Sequence, residues 1–410
     1  MIAAFLLATA LPFTVTTDLP GGNAVVESID ETNGEVRLRP DCRGMADAWF
    51  WWACRVQGAG GRRLTFRFPR PVHPNKMCVG SLGPAVSTDG GRSWRWLNPE
   101  GRADPDSFTL DFAPDDGDVH LAFAPPYTAA DWPFRTETLT RSREGRGVPV
   151  TRFGDGRRWR IFLTARHHAC ESTASRVLEG AVAALMRDPW IAENAHVEAI
   201  PFMDMDGVEK GEQGKGRLPH DHNRDYVQFI YPETRALRGL VERAEPTERL
   251  VLIDFHDPLA GTVEGGPNPR HDRIFSFGPR EPQMAERWNR YRRLLAEETA
   301  KGALRYSPDD DVPYGTGANV EANYRSGGST ESAARWFRAQ RGAWLSFAQE
   351  TGFARAGGVV TPQSARELGA AVARTVVRLL KDERPTVVLG GTLAAVRSAV
   401  AYQAYLLCQT

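Results

Sequence analysis

The sequence predicts two layers of architecture: an all-β antiparallel sandwich domain first, then an α/β catalytic domain with its sheet covered by helices. Two observations carry this. From Phe13 to about Phe123, short runs alternate apolar and polar residues and are separated by Gly-rich turns. After Pro125-Pro126, strand-like apolar runs alternate with segments whose apolar residues recur at helical spacing. The chain has 410 residues, enough for two domains, and 41% of them are hydrophobic, enough for two cores.

In the first part the strand candidates are Phe50–Val56, Leu64–Phe68 and Ser93–Leu97, with turns at Gly58-Ala59-Gly60-Gly61 and Asp89-Gly90-Gly91. Regular strand spacing with turn signals is the pattern of a sandwich. The Trp residues here read as core rather than as a ligand groove, and no cluster of ionisable groups suggests chemistry. In the second part the strand candidates are Trp159–Thr164, His196–Pro201, Leu250–Phe255 and Trp344–Ala348. The helix candidates are Ser172–Met186, Glu281–Ala300, Thr330–Gln340 and Gln363–Lys381, the last with Thr361 as N-cap and Pro362 at its first position. The expected domains are therefore residues 13–124 and 125–382, with residues 383–410 as a helical tail to which no role attaches.

Lys+Arg and Asp+Glu both number 51, so no charge imbalance points to nucleic acid or to an anionic membrane surface. No stretch reaches about 18 uninterrupted apolar residues, and Thr392–Cys408, the nearest, contains Arg397; no stable membrane span is expected. The five Cys include no C-x-x-C pair and decide no compartment. Met1–Ala10 is apolar and ends in Ala8-Thr9-Ala10. If it is a signal peptide the protein is secreted or periplasmic, otherwise cytoplasmic.

The chemistry gathers around Ala165-Arg166-His167-His168-Ala169-Cys170-Glu171, the turn between the strand candidate at 159–164 and the helix candidate at 172–186. A lone H-x-x-E arises readily by chance. A catalytic zinc, however, takes three N/O protein ligands and keeps one position for water. His168 and Glu171 can supply two, and His256, ending the strand candidate at 250–255, a third. Residues just past strand ends converge at one edge of such a sheet, and Glu350 follows the strand candidate at 344–348. Asn223-Arg224, in the polar loop Pro219–Asp225, have the chemistry to grip a carboxylate by a bidentate pair and a further hydrogen bond.

In order, H-x-x-E, Asp204-Met205-Asp206-Gly207-Val208, Asp221-His222-Asn223-Arg224-Asp225-Tyr226, a strand ending in His and a strand ending in Glu make a set that resembles the M14-type zinc metallocarboxypeptidases over about residues 125–382. It is most similar to their cytosolic branch, which also carries a β-sandwich ahead of the catalytic domain. The resemblance implies a mixed eight-stranded sheet with helices on both faces. It implies one zinc per chain on His168, Glu171 and His256, Glu350 as general base, Asn223 and Arg224 as the grip on the substrate's terminal carboxylate, and Asp221 as the acceptor orienting His168. The implied partner is a peptide or protein C-terminus.

The chain departs from the pattern at two places. The cytosolic branch has an Arg that helps stabilise the oxyanion where this sequence has Gly214, and Lys215 and Arg217 are the candidates to replace it. Ala348-Gln349 stand where Thr-Leu usually precedes the catalytic Glu, a change of packing rather than of the Glu's direction. Two other function classes fit the same residues: a zinc amidohydrolase of N-acyl amino acids, and a non-catalytic binding protein. Were Glu350 not the base, Asp257 or Glu264 would be next. The specificity pocket is expected somewhere in Pro313–Ser332.

Overall fold

The computed structural model describes residues 12–43, 45, 50–68, 77–100, 104–258, 272–317, 319–321 and 330–383. Met1–Ala10, Glu264, part of Pro313–Ser332 and all but the first residue of the 383–410 tail lie outside them. No helix among the described residues is long and apolar enough to cross a membrane.

The N-terminal region is all β. Its strands are β1 (Thr14–Thr16), β2 (Val25–Asp30), β3 (Glu35–Arg39), β4 (Ala53–Gln57), β5 (Arg63–Arg67), β6 (Ala85–Ser87), β7 (Arg95–Trp96), β8 (Ser107–Asp111) and β9 (Asp118–Ala122). They form a five-stranded sheet, β1-β4-β9-β6-β7, and a four-stranded sheet, β2-β3-β5-β8. Alternation places Leu64 and Phe66 of β5 inward and Arg63, Thr65 and Arg67 outward. Phe66 stacks on its cross-strand partner Phe108 with centroids 4.8 Å apart, and Trp52 stacks on Phe108 at 5.9 Å. Trp51, Trp52 and Trp96 are buried, so these aromatics are core. One expectation fails in detail: β3 and β5 pair in parallel, so the region is not purely antiparallel. The run 93–97 also yields only a two-residue strand.

The α/β region carries β10 (Glu137–Arg141), β11 (Gly147–Phe153), β12 (Trp159–Ala165), β13 (Ala195–Ile200), β14 (Arg249–His256), β15 (Ile274–Ser276) and β16 (Ala343–Thr351). Their order is β10-β11-β13-β12-β14-β16-β15. Among the described residues this mixed sheet has seven strands, not the expected eight. The four central strands are parallel, and the edges are antiparallel. Of the central four, β12 and β14 in particular were readable because strands buried on both faces become near-continuous apolar runs. β10 is polar and at the edge, β11 carries Pro149, and β15 is three residues long, so none gave such a run.

Its helices are α1 (Ser172–Leu185), α2 (Pro189–Asn194), α3 (Met205–Glu209), α4 (Pro232–Glu242), α5 (Pro282–Thr299), α6 (Ala333–Arg338) and α7 (Pro362–Lys381). α6 is shorter than its expected span, starting after the Ser332 cap. α7 begins as expected, with Thr361 Oγ1 accepting from the Ser364 amide at 3.0 Å and Pro362 next. Helices cover both faces of β16. Phe347 packs on Tyr291 of α5, and the neighbouring Ser346, pointing the other way, donates to the Ala334 carbonyl of α6 at 2.8 Å.

α1 is buried along nearly its whole length and crosses α7 at two glycines. A Cβ on Gly180 would lie 2.0 Å from the Arg366 carbonyl oxygen, and one on Gly369 would lie 1.9 Å from that of Val177. Backbone meets backbone there, so only glycine fits. The cores of the two regions also touch. Phe353 lies edge-on to Phe50 and Phe123, with centroids 5.6 and 5.2 Å away, and the Trp96 indole donates to the Val360 carbonyl at 2.6 Å.

Candidate metal centre

β12 ends at Ala165, and the chain reverses through Arg166, whose φ of 62° is left-handed. That conformation is uncommon for a residue with a side chain. Here the buried guanidinium braces it, donating to the Ala169 carbonyl at 2.8 Å, the Tyr127 carbonyl at 2.9 Å and Ser175 Oγ at 3.4 Å. The turn thereby presents His168 inward and places Glu171 as the residue preceding α1. β14 ends at His256, whose register partner on the adjacent parallel strand is Glu350. Glu350 is the penultimate residue of β16, not a residue beyond its end.

His168, Glu171 and His256 converge, each offering a ligand atom within 4.8 Å of the others, and all three are buried. His168 Nδ1 lies 2.7 Å from Glu171 Oε1, and His256 Nδ1 lies 2.8 Å from Glu171 Oε2. The other imidazole nitrogens face carboxylates: His168 Nε2 is 3.6 Å from Asp221, and His256 Nε2 is 2.7 Å from Asp254. Each ring thus turns one nitrogen to the centre and one to an orienting carboxylate, the arrangement that metal-ligating histidines adopt. Two imidazoles and one carboxylate are also the donors of a catalytic zinc site. The residues present therefore fit a divalent metal.

The electrostatics are those of buried groups held against one another. Burial disfavours the charged form of Glu171, but His168, Lys215 and His256 overcome it and hold its carboxyl well below the usual range. Burial likewise opposes a charged His168 and His256; Glu171 with Asp221, and Asp254 with Glu171, outweigh it and raise both. Glu350 goes the other way. Burial lifts its pKa and the Glu171 charge adds to this, only partly offset by His256 and Lys215. Its buried Oε2 has no hydrogen-bond partner among the described residues, which leaves it to face an incoming group. Asp257 is also buried, with Oδ2 accepting from the Thr173 amide at 2.8 Å.

The two cations of the 211–217 loop divide. Lys215 Nζ lies 2.7 Å from Glu171 and 3.2 Å from the Asp257 carbonyl, at the centre. Arg217 pairs instead with Asp204 at 2.5 Å and Glu212 at 2.6 Å. Gly214 has a φ of 74°, and a Cβ on it would lie 2.4 Å from the Ala169 amide nitrogen. A side chain has no room there, so a basic group can enter only from a neighbouring position. Asn223 is turned to α6, its Oδ1 accepting from the Ala333 amide at 3.1 Å. Arg224 donates to the Asn223 carbonyl at 3.1 Å and contributes to holding the Asp221 carboxyl low.

The sequence reading did not single out Arg166, His167 or Asp254. Asp254 was within reach of it, because residues two apart on a strand share a face, so Asp254 must point with His256. The role of Arg166 depends on a left-handed turn, which no local pattern marks.

No family model matches the sequence. The chain is 22% identical over 272 residues to Cytosolic carboxypeptidase 6 of Caenorhabditis elegans, a match covering 56% of this chain and 59% of that protein. The chain thus spans under two thirds of that relative. Among solved structures it is similar to a metallo-carboxypeptidase from Burkholderia cenocepacia, with TM-score 0.69, 19% identity, and coverage of 90% of this chain and 99% of that one. A metallo-carboxypeptidase from Pseudomonas aeruginosa in complex with (2-guanidinoethylmercapto)succinic acid gives TM-score 0.68 at 19% identity, over 90% and 100% of the two chains. The fold is that of these metallo-carboxypeptidase structures, and the curated relative matches the resemblance to the cytosolic branch.

Proposed function

We propose that this chain is a zinc metallocarboxypeptidase, a hydrolase that removes the C-terminal residue of peptides or proteins. The observation that carries the reading is the convergence of His168, Glu171 and His256 beside Glu350, a half-buried residue whose buried Oε2 has no partner among the described residues. Zinc held by the three would supply a Lewis acid and a water acidified toward neutral pH. Glu350 accepts the proton of the attacking water and delivers it to the departing amine. Lys215 contributes positive charge where the oxyanion develops. Arg217 already has two carboxylate partners and holds the loop. Asn223 and Arg224 select and position a free terminal carboxylate, with Asp221 orienting His168. In this reading residues 13–124 are a β-sandwich domain and 125–382 the catalytic domain.

The test is hydrolysis of one peptide presented as the free acid and as the C-terminal amide. Wild type should cleave the acid and spare the amide. Arg224→Ala should lose about 2–5 kcal/mol of transition-state stabilisation on the acid. Arg224→Lys should be nearly as harmful, because an ammonium cannot reproduce the planar fork. Equal cleavage of acid and amide by wild type would remove the carboxypeptidase reading.

A further inference from the structure

Directly behind the candidate metal centre lies a second row of buried polar groups. Asp254 Oδ2 is 2.7 Å from His256 Nε2, and its Oδ1 is 2.8 Å from His167 Nδ1 and 2.7 Å from Thr164 Oγ1. His167 Nε2 is in turn 2.7 Å from the Tyr226 hydroxyl. His167 and Asp254 are fully enclosed and Tyr226 is buried, and the two imidazoles of His167 and His256 lie nearly parallel, 5.9 Å apart, on either side of Asp254.

The donor and acceptor inventory fixes who gives to whom. An ionised carboxylate only accepts, so His167 must donate from Nδ1 and His256 from Nε2. A neutral imidazole with a proton on Nδ1 accepts at Nε2, so the Tyr226 hydroxyl donates to His167. With one proton held on Nε2 by Asp254, Nδ1 is the His256 nitrogen that faces Glu171 Oε2 at 2.8 Å and would ligate a metal. We infer that His167 and Tyr226 are positioning residues: through Asp254 they fix the tautomer and ring orientation in which His256 offers Nδ1 to the metal. The inference rests on the zinc reading above and deepens it.

His167, Asp254 and His256 also satisfy the distances for a metal-binding group. The row argues against that use. Both nitrogens of His167 and both oxygens of Asp254 already have hydrogen-bond partners at 2.7–2.8 Å, which a metal would have to displace. The adjacent histidines therefore separate in function, His168 facing the centre and His167 supporting it from behind.

The experiment is zinc affinity of the full chain, measured by competition with a chromophoric chelator, with metal-free melting recorded for each variant. His167→Leu fills most of the volume without a donor, His167→Asn returns a donor near the Nδ1 position, and Tyr226→Phe removes one oxygen only. His167→Leu should bind zinc about 10–100-fold more weakly, the usual effect of losing such a partner. His167→Asn should recover most of that loss, and Tyr226→Phe should fall between Asn and wild type; a merely structural role would not be rescued by the amide. Should His167→Leu fail to fold, Tyr226→Phe and His167→Asn carry the test. Wild-type affinity in His167→Leu or Tyr226→Phe, alongside loss of binding in His256→Ala, would overturn the relay and leave the zinc reading standing. Undiminished binding in His256→Ala would remove the zinc reading itself. Two zinc ions per wild-type chain, falling to one in His167→Leu, would show a second metal site in place of the relay.

Discussion

The metal centre and the crossing of α1 with α7 are both buried, and they are built on opposite principles. At the centre, charged groups are stacked against one another: His168, His256 and Lys215 around Glu171, with Asp221 and Asp254 behind. Each group is acceptable there only because its partners are present. At the crossing the contact is made by backbone: beside the Glu179–Arg366 ion pair at 2.6 Å, two glycines let carbonyl and Cα approach to distances that exclude any side chain. The first region should tolerate change in shape but not in charge, the second change in neither size nor shape. Buried positions in one domain can thus fail for unrelated reasons.

Four measurements sharpen this contrast, beginning with the largest expected effect. Glu350→Gln keeps the shape and removes the charge of the proposed base. Turnover should fall at least about 10²-fold, the low end for a general base, while elemental analysis still finds one zinc. Near-normal activity would move the base to another group, with Asp257 the nearest buried candidate. Arg217→Met breaks the pairs with Asp204 and Glu212; Glu212 keeps Lys210 at 2.9 Å, but the buried Asp204 carboxylate loses its arginine. Stability to denaturant should drop by about 3–5 kcal/mol. A selective loss of turnover with unchanged stability would instead make Arg217 the oxyanion group and exchange its role with that of Lys215.

Gly369→Ala adds a single methyl where Val177 O stands in the way. Overpacking of this kind typically costs about 1–3 kcal/mol, and the melting temperature should fall while acid-over-amide preference in the folded fraction stays as in wild type. The smallest effect is expected on the surface of the N-terminal sheet. Arg63 and Asp111 lie 2.9 Å apart, but their side chains are 71% and 69% exposed. Arg63→Ala should change stability by less than about 1 kcal/mol, and the change should shrink further in high salt.

The same contrast explains what could be read from the sequence. β12, β14 and β16 announced themselves as largely apolar runs, and His168, Glu171, His256 and Glu350 were legible because they lie at or just past the ends of those runs. Lys215 and Arg217 could not be told apart, since the choice depends on Asp204 and Glu212 lying on the far side of the loop. His167 had no role in the sequence reading, because its partners Asp254 and Tyr226 lie 87 and 59 residues away in the chain. The α1–α7 crossing was invisible for a related reason: a glycine in a helix shows what it lacks, not what approaches it. Local pattern reported the strands and their ends, and only tertiary contact reported which polar groups share a charge.

The loop that carries Lys215 is fastened partly from the N-terminal sheets. Gln213 accepts from the Trp51 backbone amide at 3.0 Å, donates to Cys170 Sγ at 2.8 Å, and accepts through its carbonyl from the Cys170 amide at 3.1 Å. Phe50, next to Trp51, meets Phe353 just after β16. A chain cut at residue 125 would lose the Trp51 and Phe50 contacts while keeping the Gln213–Cys170 bonds and every residue proposed for catalysis. The two regions are therefore expected to melt as one cooperative unit, with near-ultraviolet and far-ultraviolet signals changing at the same denaturant concentration. Two separated transitions would show that the seam is thermodynamically weak. Coincident ones would mean that any trimmed version of the protein has to keep the contacts of Phe50 and Trp51.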